Sequence, residues 1–137
     1  LVGEVGMKAL ALVLLLTIAG CANQTAAVNE ISPDEVLAGL DAHALILDVR
    51  TAKEFEAGHV PNAINIPHSE VAARIGELGD DTDRSVVVYC ESGKRAGLAS
   101  TVLVDVGYKN ILHLTGDMQG WRAAEHPVER GASWMSK

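Results

Sequence analysis

Two hydrophobic rhythms alternate along the chain. Residues 44–49 form a continuous apolar run with one acid, Asp48, near its end, and residues 85–89 form a second, stronger run of Val and Tyr. Such runs predict strands buried on both faces of a parallel sheet. Shorter strands are predicted at 63–66 and 110–114. Between them, apolar positions recur at helical spacing. Ser32-Pro33-Asp34-Glu35 and Thr51-Ala52-Lys53-Glu54 each place a hydroxyl three residues before a carboxylate, the capping-box signature of a helix start. Helices are expected from each, the second ending at Gly58. A third is expected over residues 68–78, and a fourth over 96–106 with Leu98, Val102 and Val106 on one side and Gly107 as its stop. A last helix follows Thr115-Gly116-Asp117 and carries Met118 and Trp121. Strand and helix alternate throughout, which predicts an α/β fold with a central, mainly parallel sheet flanked by helices.

The N-terminal stretch follows neither rhythm. Met7-Lys8 precedes an apolar run from Ala9 to Ala19, too short to span a bilayer and matching a signal-peptide core. The run closes on Ile18-Ala19-Gly20-Cys21, which resembles a bacterial lipobox. The expected organisation is a signal peptide over 1–20 with Met7 as a better start than Leu1, a lipid-anchored tether over 21–30, one domain over 31–130, and a tail over 131–137. Lipidation of Cys21 would bury acyl methylenes in the bilayer and fix the protein to the envelope. Ala22 and Asn23, with no Asp after the cysteine, favour the outer membrane by the same resemblance.

Net charge is -7 over 137 residues, and no basic stripe is present, so nucleic acid is not an expected partner. Aromatics make up 4% of the chain, which leaves the core to aliphatic side chains. The five histidines, His43, His59, His68, His113 and His126, show no metal-pair spacing, and no metal site is expected. His59 and Trp121 read as structural residues.

The candidate chemistry lies directly after the strongest strand. Cys90 ends it, and Glu91-Ser92-Gly93-Lys94-Arg95 leads into a helix. A cysteine at the carboxyl end of a strand stands where α/β sheets place their sites. Main-chain N–H groups of such a loop can turn inward and cradle an anion, and they favour a thiolate. Gly93 allows a backbone angle that a side chain disfavours, and Lys94 and Arg95 add positive charge. Glu91 works against this, because a carboxylate beside the sulfur opposes an anionic donor if it points inward.

Leu47-Asp48-Val49-Arg50, Glu54-Phe55 and the stretch from Gly58 to Pro67 resemble the N-terminal signature of the rhodanese family. Cys90 to Ala96 resembles its active-site loop, and Tyr108, Leu114, Gly116, Trp121 and Pro127-Val128 its C-terminal pattern. Asp117 departs from that pattern, since many members carry a second glycine there, and no catalytic role is expected of it. The resemblance implies a sulfurtransferase. Cys90 would attack the sulfane sulfur of thiosulfate or a polysulfide, hold it as a persulfide, and pass it to cyanide or a thiol, with no cofactor. Glu91, Ser92, Gly93, Lys94 and Arg95 would bind the donor, with Asp48 and Arg50 in support. A monomer is expected.

Two other functions compete. One is a phosphatase or arsenate reductase on the same scaffold, which by resemblance needs a longer loop; four residues separate Cys90 from Arg95. The other is a non-catalytic sulfur carrier or envelope binding module.

Overall fold

The structure is a computed structural model that describes residues 26–132 together with Gly3. The stretch expected to be a signal peptide, apart from Gly3, and Cys21 lie outside the described residues. Five strands form one sheet: β1 (Val28–Ile31), β2 (Leu45–Asp48), β3 (Ile64–Asn65), β4 (Ser85–Tyr89) and β5 (Asn110–Leu114). The spatial order is β1-β5-β4-β2-β3, and every pairing is parallel. Among the described residues, three helices connect strands, α1 (Pro33–Ala38), α2 (Ala52–Ala57) and α3 (Lys94–Asp105), and a fourth, α4 (Asp117–Ala123), follows β5.

Side chains alternate across the sheet because successive Cβ atoms of a strand point to opposite faces. Along β4, Val86, Val88 and then Cys90 enter one apolar cluster, with Leu47, Ala96, Ala99 and Leu103. Val87 and Tyr89 enter the other, with Phe55, Met118 and Trp121. The chain thus forms three layers, with α3 on the first face and α2 and α4 on the second. The helix after β4 and the helix after β2 lie on opposite faces of adjacent strands. That arrangement opens a crevice at the strands' carboxyl ends, where Asp48 is paired with Tyr89 in register.

Both capping boxes form. Ser32 Oγ accepts the Glu35 N–H at 3.2 Å while Glu35 Oε2 accepts the Ser32 N–H at 2.8 Å. Thr51 and Glu54 repeat the exchange at 3.2 and 2.9 Å. His59 is structural, its ring stacked on Phe55 at 3.5 Å and its Nδ1 bonded to the Phe55 carbonyl at 2.7 Å. Trp121 is buried, and its indole N–H donates to the Pro127 carbonyl at 2.8 Å.

Three expectations are corrected. Residues 28–30, placed in the tether, belong to β1, the edge strand that pairs in parallel with β5 and so satisfies backbone groups on that side of β5. Residues 68–78 form two short 3-10 turns, His68–Glu70 and Ile75–Leu78, instead of one helix. Val71 and Leu78 are still buried, but Gly76 weakens a continuous helix there. The buried face of α3 is Ala96, Ala99, Ser100 and Leu103, whereas Leu98 and Val106 are exposed. Small residues let the helix lie close to the sheet, and their low hydrophobicity hid that face.

Candidate active site

Cys90 follows β4 at the crevice. The Gly93 N–H donates to its Sγ at 3.0 Å, so the loop does turn an amide toward the sulfur. Gly93 takes φ +108, the left-handed side that glycine enters without steric cost. It is the residue before the first turn of α3, so the sulfur lies near the positive end of that helix. Cys90 is 1% exposed. The cysteine is therefore not open to solvent: it belongs to the apolar cluster that holds Val49, Ala96 and Ala99.

The basic residues of the loop divide. Arg95 turns back to Glu54, with bonds of 2.7 and 3.0 Å. Glu54 also caps α2, so one carboxylate joins the start of α2 to the start of α3. The Arg95 hydrogen bond, set against some burial and aided by Thr51, lowers the Glu54 carboxyl to about 2. The same bond holds Arg95 above its ordinary value, with the charge on Cys90 a smaller contribution. Ser92 and Lys94 are exposed.

Asp48 and Arg50 form a buried ion pair beside the loop. Arg50 Nε donates to both Asp48 oxygens at 3.1 Å, and Nη2 donates to Oδ2 at 2.7 Å. Nη2 also reaches the Gly58 carbonyl at 2.7 Å, and the guanidinium lies 5.7 Å from the Tyr89 ring centroid. Burial alone would lower the Arg50 value, but the Asp48 hydrogen bonds and charge outweigh it and raise it. Burial, with Asp48 nearby, pushes the Tyr89 phenol well up, so it stays protonated, and its oxygen accepts the Val60 N–H at 3.1 Å.

Glu91 is compensated by cations. Arg50 Nη1 approaches its Oε2 at 3.4 Å, and Arg122 forms an ion pair with it from α4. These three side chains line a cleft of about 650 Å³, with Glu54, Met118 and Arg130. Arg122 had no signal in the sequence, because a basic residue in a terminal helix usually reads as a solvated face. Asp117 is a second omission: the sequence assigns it no catalytic role, yet its side chain reaches the nucleophile's main chain. Its buried carboxylate accepts the Cys90 N–H at 3.0 Å. The signal was present, as the departure from glycine at that position. Among the described residues, no group of three or more His, Cys, Asp or Glu is arranged to hold a metal ion.

The likeness to known proteins agrees with this geometry. Residues 32–124 match the Rhodanese-like domain family. A sulfurtransferase of Allochromatium vinosum is 33% identical over 103 residues, covering 74% of this chain and 94% of the relative. A thiosulfate sulfurtransferase of Escherichia coli is 37% identical over 70 residues, covering 51% of this chain and 67% of the relative. The crystal structure of a thiosulfate sulfurtransferase from Pseudomonas aeruginosa superposes with a TM-score of 0.68 at 30% identity, covering 77% of this chain but 21% of that larger one. The parallel sheet, the cysteine at the end of β4 and the match across residues 32–124 converge: the chain belongs to the rhodanese-like domain family.

Proposed function

We propose that the protein is a sulfurtransferase in which Cys90 carries the sulfur. The observation that supports this most directly is the Gly93 N–H on Sγ at 3.0 Å, in a loop closed by Arg95 on Glu54. A main-chain donor aimed at sulfur stabilises negative charge there without a side chain that could move away. The Cys90 thiolate attacks the outer sulfur of thiosulfate, the S–S bond breaks, and sulfite leaves with the electron pair. The persulfide on Cys90 then meets a nucleophile, cyanide or a thiolate. That nucleophile takes the terminal sulfur and returns the Cys90 thiolate. The sequence is two-step covalent catalysis with ping-pong kinetics.

Gly93 and Arg95 have separate duties in this reading. Gly93 supplies the amide, and Arg95 holds the loop's end to α2 through Glu54. Asp48 and Arg50 support the loop through Gly58 and Glu91. Ser92 and Lys94, exposed at the mouth, meet the donor first. Because Arg50 and Arg122 compensate Glu91, its charge repels an anionic donor only weakly. Since Sγ is shielded, donor entry requires the loop to move, and small donors are favoured.

Thiosulfate-to-cyanide turnover tests the reading. Wild type is expected to show parallel reciprocal plots, and Cys90→Ala no turnover. Persulfide formation in a single turnover without steady-state turnover would replace the enzyme with a sulfur carrier. We also propose, from residues 7–21, export and lipid anchoring at Cys21. Labelled palmitate should mark the wild type and leave Cys21→Ser unmarked; an unmarked wild type removes the anchor.

A further inference from the structure

Asp117 occupies a position where the backbone favours glycine. Its φ is +51, in the left-handed region that few side chains enter. Its carboxylate is also buried, at 2% exposure, and a buried charge persists only with partners. Those partners are specific. Oδ1 accepts the main-chain N–H of Cys90 at 3.0 Å. His113 Nε2 lies 3.0 Å from Oδ1 and 2.9 Å from Oδ2, and because a carboxylate only accepts, Nε2 carries the hydrogen. The other ring nitrogen of His113 faces Glu30 of β1 at 3.9 Å.

The next two residues complete a clamp. The Met118 N–H donates to the Cys90 carbonyl at 3.0 Å, and the Gln119 N–H to the Glu91 carbonyl at 3.2 Å. Residues 117–119 therefore bind the nucleophile's peptide groups from both polar sides. The carboxylate also shapes the loop's far end. A Cβ on Gly93 would stand 3.0 Å from Asp117 Oδ2 and 3.5 Å from the His113 ring, so the residue that bonds Sγ packs directly on this pair.

We propose that Asp117, oriented by His113, is a positioning residue that fixes the Cys90 main chain so that Sγ meets the Gly93 amide. This rests on Cys90 being the nucleophile proposed above. The geometry separates the role from simple stabilisation. Glycine at 117 suits the local backbone better, so a residue kept there only for the fold has no need of a carboxylate. What the carboxylate adds is an acceptor for the Cys90 amide, which glycine lacks.

The test uses the whole chain and two probes of Cys90. Thiosulfate measures persulfide formation in a single turnover, and iodoacetamide measures the nucleophile without sulfur transfer. Asp117→Gly is expected to slow both by about tenfold and to lower kcat with little change in KM. Asp117→Asn keeps an oxygen for the Cys90 amide and is expected to recover both rates to within about threefold of wild type. His113→Asn keeps the Asp117 carboxylate but removes the ring that orients it, and is expected to slow alkylation by about threefold; it carries the test if Asp117→Gly does not fold. Wild-type rates in Asp117→Gly or in His113→Asn, or Asp117→Asn as slow as Asp117→Gly, would overturn the assignment. If wild type forms no persulfide, the sulfurtransferase reading fails, while the alkylation series still decides the positioning role.

Discussion

Asp48→Asn isolates what the buried ion pair contributes to this fold. The replacement is isosteric, so no cavity opens and the effect is electrostatic. Asp48 is fully buried and Arg50 is 2% exposed. The carboxylate accepts the Arg50 main-chain N–H at 2.9 Å besides the guanidinium bonds. Removing one partner of a buried pair costs about 3–5 kcal/mol, because the other charge stays buried without compensation. Here the guanidinium keeps the Gly58 carbonyl and Glu91, which places the loss near the lower end, about 3 kcal/mol. For a domain of this size that corresponds to a melting temperature lower by about 12–24 °C. Urea unfolding of Asp48→Asn, Arg50→Met and the double variant is the assay. The double variant should lose less than the sum of the singles, because it leaves no unpaired charge. A loss under about 1 kcal/mol in Asp48→Asn would refute the reasoning, since the pair would then not be the main support of that turn.

Two further outcomes follow from the loop's ties. The Glu54 carboxyl is depressed to about 2 from 4.5, so its stabilising contribution is full above about pH 4.5 and fades as pH falls towards 2. Glu54 is a third exposed, so Glu54→Gln is expected to lose about 1 kcal/mol at pH 7 after screening, and urea midpoints should show that difference closing by about pH 2. Gly93→Ala forces a Cβ against the Asp117 carboxylate at a φ of +108. It is expected to cost about 1–2 kcal/mol in unfolding assays and to slow persulfide formation in a stopped-flow or quench measurement.

The fold was legible where one physical signal dominated. Continuous apolar runs at 44–49 and 85–89 marked buried parallel strands, and two hydroxyl–carboxylate pairs marked helix starts. It was not legible where small residues carried the packing. The buried face of α3 is built on Ala96, Ala99 and Ser100, which contribute little hydrophobic contrast, so Leu98 and Val106 drew attention instead. β1 was lost because Val28-Asn29-Glu30 is polar and mostly exposed; only pairing with β5 makes it a strand. In the site, Cys90 and its loop were visible as a cysteine between a strand and a helix. The partners of that loop were not, because Glu54, Arg122 and His113 approach from elsewhere in the chain and no local pattern links them to Cys90. Asp117 was visible only as a residue in a position that favours glycine, and the reason for it appears once its carboxylate meets the Cys90 amide.

The central claim is that Cys90 accepts a sulfur atom. Intact-mass measurement after thiosulfate treatment, followed by removal of excess donor, tests it without assumptions about the acceptor. A gain of about 32 Da that cyanide reverses, absent in Cys90→Ser, is the predicted result. An unchanged wild-type mass, or the same gain in Cys90→Ser, would contradict it.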